Sequence, residues 1–179
     1  MKILVHICCG PCAVYPIQAL RADEVKLHGF FYNNNIHPYS EWKKRQQSLK
    51  DYADKINLNI IWQKGYAMEG FIRNVAFRES ERCAYCYHDR LEATAFIAKR
   101  GNFDYFTTTL LYSKFQKHEL IASIGKSIGK IVGIPFLYQD FRTGWKKGIE
   151  ESKRLQLYRQ AYCGCIYSEK ERFYKQNNP

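Results

Sequence analysis

KILVHICCGPC, residues 2–12, joins a short apolar run to three closely spaced cysteines. The Val- and Ile-containing segment 2–7 predicts a buried strand, and the strand is expected to stop at Cys8 because a Gly-Pro turn follows. Pro11 is favourable in the first turn of a helix, which we expect at about residues 12–21. The three thiols are therefore expected at the carboxyl edge of the first strand.

Four further apolar segments alternate with helical patterns along the chain. The other expected strands are 25–32, 58–62, 104–111 and 134–140, and the expected helices between them are 40–55, 68–78, 85–100 and 118–132. This alternation predicts an α/β fold with a doubly wound, five-stranded parallel sheet in the order 3-2-1-4-5. Open sheets of this kind bind their ligands at the carboxyl edge.

The whole chain, residues 1–179, is expected to form one domain, since 46% hydrophobic residues can supply a sizeable core. Helical patterns predict an insertion at about 66–100 and a C-terminal helical segment at about 145–174, which carries the last two cysteines. No apolar run reaches the ~18 residues of a membrane-spanning helix, and residues 1–13 do not resemble a secretory signal. We therefore expect a soluble, cytoplasmic protein without a membrane partner.

The sequence is strongly basic. It contains 28 Lys and Arg against 17 Asp and Glu, which gives a formal net charge of +11. Such an excess favours a polyanionic partner, nucleic acid before membrane, although a solvated basic surface also explains it. The 14 Tyr and 11 Phe residues suit either the stacking of unpaired RNA bases or the packing of a core.

Seven cysteines fall into three groups: Cys8, Cys9 and Cys12; Cys83 and Cys86; Cys163 and Cys165. An odd number of cysteines without an export signal argues against a secreted disulfide scaffold. In a reducing compartment such groups are usually metal ligands or redox catalysts. Burial as small hydrophobic residues is the alternative, but three cysteines within five residues make it a poor explanation.

The first two groups can together supply four thiolates. Cys8 and Cys9 precede a helix, and Cys83 and Cys86 form a C-x-x-C pair that opens a helix, where the helix dipole favours thiolates. Four thiolates suit either a zinc ion or a [4Fe–4S] cluster. Structural zinc sites more often use two C-x-x-C pairs, so we favour the iron–sulfur cluster.

The third group, Cys163-Gly164-Cys165, has two interpretations. Glycine permits the tight backbone of a strained, easily reduced disulfide, which favours a redox pair over further metal ligation. Neither G-x-x-x-x-G-K nor G-x-G-x-x-G occurs, so a nucleotide cofactor lacks its usual signature. Asp89 and Asp140 are candidate acids near the sheet edge, and caps or ion pairs would explain them equally well.

Six motifs resemble the epoxyqueuosine reductases of the QueH type. They are HICCGPC at 6–12, YNNNIHP at 32–38, RCAYCY at 82–87, TTTLL at 107–111 with HE at 118–119, DFR at 140–142 and LYRQAYCGC at 157–165. The resemblance spans residues 3 to about 168, and its specificity comes from the order and spacing of the three cysteine groups. Asn34 and Ala161 stand where the family often has Pro and Asn.

The resemblance implies reductive removal of the epoxide oxygen from epoxyqueuosine at the tRNA wobble position, without cobalamin or ATP. It implies a [4Fe–4S] cluster on Cys8, Cys9, Cys83 and Cys86, a redox-active pair at Cys163 and Cys165, and a fold similar to the adenine nucleotide α-hydrolases. The partners are then tRNA carrying epoxyqueuosine and an unidentified electron donor.

Further roles follow as hypotheses. An iron of the cluster, or an additional iron held partly by Cys12, would act as a Lewis acid on the epoxide oxygen. Cys12, Cys163 and Cys165 are therefore the candidate catalytic residues. Tyr32 and Tyr87 would stack the extruded base. Phosphate contacts are expected from basic residues such as Lys43, Lys44, Arg45, Lys146, Lys147 and Arg159.

Three other functions remain open. A tRNA-thiolating enzyme shares the fold class, but it would carry an S-G-G-x-D-S loop where this chain has CCGPC. A zinc-stabilised RNA-binding module would hold zinc alone. A general thiol–disulfide oxidoreductase would not need Cys8 and Cys9.

Overall fold

The first strand lies inside a parallel sheet, in a computed structural model that describes residues 1–21 and 25–174. The strands are β1 (Lys2–His6), β2 (Lys26–Phe31), β3 (Asn59–Trp62) and β4 (Tyr105–Thr108). Their order is β3-β2-β1-β4, and all neighbours are parallel. Ile3, Leu4 and Val5 of β1 are fully buried, as expected for a strand covered on both faces.

Helices cover both faces of the sheet. They are α1 (Gly10–Arg21), α2 (Tyr39–Lys55), α3 (Met68–Val75), α4 (Arg82–Arg100), α5 (His118–Val132), α6 (Trp145–Arg154) and α7 (Ile166–Phe173). Because β2 and β4 flank β1 on opposite sides, right-handed crossovers place the α1–α2 pair and the α4–α5 pair on opposite faces. The predicted parallel α/β fold is confirmed.

The predicted fifth strand at 134–140 is wrong. Within the described residues this segment forms a single parallel bridge, between Phe136 and Phe106. Two backbone hydrogen bonds support the bridge, from Phe106 N to Pro135 O at 3.2 Å and from Leu137 N to Phe106 O at 2.9 Å. The Thr107 hydroxyl then donates to Leu137 O at 2.7 Å. Beyond the bridge the contact is therefore made by a side chain, and among the described residues the sheet keeps four strands.

The fourth strand also ends earlier than the predicted residue 111. Thr108 Oγ1 accepts a hydrogen bond from Leu110 N at 3.1 Å and caps a short 3₁₀ helix over residues 109–112. This local side-chain bond competes with continued strand pairing. The turn brings Thr109 beside the first cysteine group at the carboxyl edge of β1.

The first βα turn is tightly packed. Gly10 begins α1 against α2, and a Cβ at this position would lie 2.6 Å from Ser48 O and 2.7 Å from Ser48 Oγ. Ser48 O is a backbone atom of a long helix, so it cannot move aside easily. Only glycine allows α1 and α2 to approach this closely, and this approach sets the position of the CCGPC segment.

We expect Gly10→Ala to lower the free energy of unfolding by about 1 to 3 kcal/mol, because the added methyl overpacks this contact. Urea unfolding followed by circular dichroism measures the change. Gly70→Ala is the matched control. It lies in α3 with no atom near its added Cβ, and should gain about 0.5 to 1 kcal/mol from helix propensity. Equal stability of Gly10→Ala and the wild type would contradict the packing argument.

Candidate active site

Six of the seven cysteines line one cavity of about 550 Å³. The cavity opens at the carboxyl edge of the sheet, since Cys8 follows β1 and Thr109 follows β4. Three segments supply the thiols: the CCGPC turn, the first turns of α4, and the loop between α6 and α7. The seventh, Cys9, is fully buried beside Cys8. All three cysteine groups therefore reach the same edge of the sheet.

Cys8, Cys9 and Cys12 form a compact triad. Their Sγ atoms lie within 4.8 Å of one another, and Cys8 and Cys9 are 3.7 Å apart. Two thiolates on one tetrahedral ion with bonds of about 2.3 Å would be about 3.8 Å apart, so the triad could bind a single metal ion. In the part of the chain that the structure describes, this is the one group of three ligand side chains at metal-binding spacing. Cys83 and Cys86 do not belong to it.

The triad shares its protons unequally. Hydrogen bonds from Cys12 and Cys9 hold the pKa of Cys8 well below its usual value, so Cys8 is the favoured thiolate. Burial raises the pKa of Cys9, and the bond to the Cys8 thiolate raises the pKa of Cys12. Gln160 Nε2 donates a further hydrogen bond to Cys12 Sγ at 3.2 Å. A thiolate in such a set is the form that binds metal.

The other two groups lie close to each other. Cys86 on α4 and Cys165 before α7 are both buried in a small apolar cluster with Phe71 and Val75. Burial, together with the nearby sulfurs of the other thiols in these groups, raises the pKa of Cys86 to about 12. In contrast, Cys163 is exposed at the cavity, where its Sγ accepts a hydrogen bond from Gln116 Nε2 at 3.2 Å.

Arg90 connects the cysteine groups electrostatically. Its guanidinium donates from Nη2 to Cys86 Sγ at 2.9 Å and from Nε to Cys86 O at 3.2 Å, and the residue is only 2% exposed. No carboxylate of the described residues lies within 4.0 Å of this guanidinium. Its charge helps to lower the pKa of Cys8 and offsets part of the rise in the pKa of Cys86. Since a buried cation needs an anionic partner, the cavity favours negatively charged sulfur.

Sequence reasoning missed Arg90 and the two glutamines. Arg90 could have been found, because it follows Cys86 by four residues and therefore shares its helix face. Gln116 and Gln160 carry no comparable signal, since they lie far from their sulfur partners in the sequence. Their amide N–H groups are nevertheless suited to stabilise thiolates or metal-bound sulfur.

The two candidate acids have different environments. Asp140 caps a 3₁₀ helix and pairs with Arg142, whose hydrogen bonds lower the pKa of Asp140 to about 2. Asp89 is half-buried, and burial raises its pKa; it accepts hydrogen bonds from Tyr32 Oη at 3.3 Å and Asn34 Nδ2 at 3.4 Å. Asp140 therefore fits the cap and ion-pair interpretation.

Two of the residues expected to contact RNA are buried. Arg45 is 1% exposed and donates to main-chain carbonyls, so the prediction that it contacts phosphate is wrong. Tyr87 is also buried, and its hydroxyl donates to Gln116 Oε1 at 2.8 Å, which makes it part of the cavity wall instead of an exposed stacking surface. Tyr32 is half-buried and bonded to Asp89. The remaining predicted basic residues are exposed: Lys43, Lys44, Lys146, Lys147 and Arg159.

The cavity itself carries a positive rim. Lys117, Arg159 and Arg172 are exposed and line it together with Arg82, whereas Glu171 is the one carboxylate that the described residues contribute. Phe115 is 84% exposed on the same wall and meets Trp145 edge to face, with ring centroids 6.0 Å apart. Cations beside exposed aromatic rings are typical of surfaces that bind single-stranded nucleic acid.

A parallel α/β fold with a thiol-lined cavity at its carboxyl edge defines a class of proteins that act through sulfur, as a metal ligand or as a redox group. Within that class, the chain matches the family model described as "Epoxyqueuosine reductase QueH" over residues 3–171. The protein belongs to this family of oxidoreductases, and the resemblance drawn from the motifs is confirmed.

Curated relatives support the assignment. A protein named Epoxyqueuosine reductase QueH from Dehalococcoides mccartyi is 34% identical, over 99% of this chain and 98% of the relative. One of the same name from Thermotoga maritima is 35% identical, over 95% and 91%. A solved structure titled as a predicted subunit of tRNA methyltransferase from Methanocaldococcus jannaschii shares the fold, with a TM-score of 0.56, 14% identity, and coverage of 85% of this chain and 76% of that one.

His6, which opens the HICCGPC motif, is held neutral. Nε2 donates to Tyr32 O at 3.0 Å, and Nδ1 accepts from Thr108 Oγ1 at 2.9 Å. Complete burial, with a smaller effect of the Arg90 charge, lowers the pKa of His6 to about 3. The unfolded chain binds a proton at His6 below pH 6.5, whereas the folded chain does not, so stability falls as the pH drops from 6.5 towards 3.

Between pH 7.5 and pH 5, the wild type should lose about 2 kcal/mol of its free energy of unfolding because of His6. We expect His6→Gln to abolish this part of the loss. Urea unfolding at the two pH values measures this difference. His88→Gln is the matched control, because it makes the same substitution at an exposed histidine of α4. If His6→Gln keeps the full wild-type pH dependence, the neutral assignment of His6 is wrong.

Proposed function

We propose that this protein reduces epoxyqueuosine to queuosine at the wobble position of tRNA. The observation that carries the proposal is the meeting of six thiols from three distant segments around one cavity, in a chain of the QueH family. The reaction takes up two electrons and two protons, breaks both C–O bonds of the epoxide to leave an alkene, and releases the oxygen as water. We further propose that a single domain over residues 1–179 carries all three groups.

The donor set fits an iron–sulfur cluster. Several thiols face the cavity, and the buried Arg90 donates to the sulfur of Cys86 and compensates negative charge. We assign the [4Fe–4S] ligands to Cys8, Cys9, Cys83 and Cys86, following the family motif. When bound, such a cluster supplies electrons one at a time and a Lewis-acidic iron. The geometry of the Cys8, Cys9 and Cys12 triad favours an additional iron there as the alternative use of these thiols.

The Cys163 and Cys165 pair stores the two electrons. Oxidation of both thiols to a disulfide releases two electrons and two protons, which balances the reduction of one epoxide. Cys163 is exposed at the cavity, whereas Cys165 is buried next to Cys86. The pair thus extends from the substrate side of the cavity to the cluster ligands. An external reductant, the unidentified electron donor, must then restore the dithiol.

The tRNA substrate would approach the positive rim. Lys117, Arg159 and Arg172 are placed to contact phosphates, and the apolar walls of the cavity would exclude water from the base. We expect neither cobalamin nor ATP to take part, and the cytoplasm is the expected location because it keeps thiols reduced. None of the described helices combines the length and the apolar composition that spanning a bilayer requires.

A tRNA-thiolating enzyme is the strongest rival. It shares the fold class, which we assign to the adenine nucleotide α-hydrolase-like group, but the turn after β1 here carries cysteines in place of a phosphate-binding loop. Consumption of ATP in the presence of substrate tRNA would favour thiolation. Colourless, oxygen-free protein containing zinc alone would favour a structural RNA-binding module, and cluster-independent reduction of small disulfides would favour a general thiol oxidoreductase.

We expect Cys83→Ala to lose the visible absorption of the cluster, its iron and sulfide, and all reductase activity, because one of four ligands is missing. Iron and acid-labile sulfide per chain are measured after anaerobic purification. Cys12→Ser is the matched control and should keep the sulfide, while an additional iron on the triad would be lost. Full iron and sulfide in Cys83→Ala would show that the ligand assignment is wrong.

We expect Cys165→Ser to keep the cluster but to reduce multiple turnover to below about 1% of the wild-type rate, since no two-electron store remains. The assay is anaerobic incubation with epoxyqueuosine tRNA and a reductant, followed by nucleoside mass spectrometry. Cys163→Ser should behave in the same way. Normal multiple turnover by either variant would exclude the dithiol role.

A further inference from the structure

The loop that carries Cys163 and Cys165 is held by a buried arginine of α2. Arg45 donates from Nη1 to Cys163 O at 2.6 Å and from Nη2 to Tyr162 O at 2.9 Å. The guanidinium reaches across more than a hundred residues of sequence to two consecutive carbonyls. An Arg side chain suits this role because its planar fork presents several donors in fixed directions.

The arginine is itself fixed by two further residues. Its Nε donates to Glu41 Oε1 at 2.7 Å, one helical turn earlier on α2, and both side chains are buried. Tyr158 Oη donates to Glu41 Oε2 at 2.5 Å, so the carboxylate is bonded from both sides. A buried ion pair costs free energy unless both partners are fully hydrogen-bonded. The bonds to Glu41 and from Tyr158 meet this requirement and fix the position of Arg45.

The remaining backbone groups of the loop are also bonded. Gly164 O accepts from His37 N at 2.8 Å, and Gly164 N donates to Ser168 Oγ at 3.1 Å. A Cβ at Gly164 would lie 3.2 Å from Asn35 Nδ2 and 3.5 Å from Arg45 Nη1. The backbone between the two thiols is therefore held on every side, while the Cys163 sulfur faces the cavity.

We propose that Arg45, held by Glu41 and Tyr158, is a positioning residue that sets the redox equilibrium of the Cys163 and Cys165 pair. The inference rests on the dithiol role given to that pair in the proposed function. In this conformation the two thiols are free and their sulfurs have different hydrogen-bond partners, Gln116 for Cys163 and Ser168 N for Cys165, so the hydrogen bonds of Arg45 hold the loop in the dithiol form. Loosening them favours the disulfide, in which both thiols lose a proton and two electrons pass to the oxidant.

The test is equilibration of the full-length protein with reduced and oxidised dithiothreitol under anaerobic conditions. Acid quenching, alkylation and mass spectrometry of the peptide around residues 163–165 then give the dithiol fraction. In each disulfide formed, oxidised dithiothreitol takes up the two electrons and two protons. No tRNA is present, so the result does not depend on reductase activity.

We expect Arg45→Met to shift the equilibrium constant at least tenfold towards the disulfide, which is about 30 mV to more negative potential. Arg45→Lys should bring the equilibrium constant part of the way back to the wild-type value. Tyr158→Phe should shift the equilibrium constant in the same direction as Arg45→Met, but by less. Tyr158→Phe keeps the test decisive if Arg45→Met does not fold, because Tyr158 is partly exposed. Lys50→Met, an exposed residue of α2, is the matched control.

A wild-type potential in Tyr158→Phe, or in a folded Arg45→Met, would overturn the proposal, as would a wild-type protein that forms no disulfide between residues 163 and 165. The proposed function can fail separately. If the variants show the expected redox shifts but the wild type does not change epoxyqueuosine tRNA, the reductase assignment is refuted and the positioning role is retained.

Discussion

A buried guanidinium with sulfur as its partner is the interaction on which the site depends. Arg90 is fixed on α4 by the packing of this helix against β1 and β4, and it donates to Cys86 Sγ and Cys86 O. No carboxylate of the described chain neutralises it within ion-pair distance. Negative charge on sulfur in the cavity, as thiolates and thiolate-bound metal centres carry, offsets the cost of burying this charge.

The parallel sheet brings the cysteine-bearing segments together at one site. Parallel strands end at one edge, so the turn after β1 and the turn after β4 meet there, and Cys8 comes within 3.8 Å of Thr109 Oγ1. The close approach of α1 and α2 at Gly10 holds the cysteine turn, and α2 reaches across to the loop before α7. Helix α2 thus supports the first and third cysteine groups, α4 carries the second, and all three share one cavity.

The fold was largely predictable because its signals are local. The apolar segment before CCGPC and the alternation of strands and helices indicate a parallel sheet, and the order 3-2-1-4 follows from right-handed crossovers. The fifth strand was predicted from the same signal and is wrong. There the segment meets β4 through a single bridge and a side-chain hydrogen bond from Thr107 to Leu137 O, which are tertiary contacts that a sequence pattern does not reveal.

The sequence by itself determined the residue types of the site: three cysteine groups, their order, and their placement after a strand or at the start of a helix. Those features are properties of short segments, so they can be predicted without knowledge of the rest of the chain. Only the tertiary structure decided which groups meet. It buried Arg45 where a phosphate contact was expected, placed Cys86 beside Cys165, and drew Cys8, Cys9 and Cys12 into one triad. These are contacts between residues far apart in sequence or facing one another at a turn, and they depend on how helices pack against the sheet.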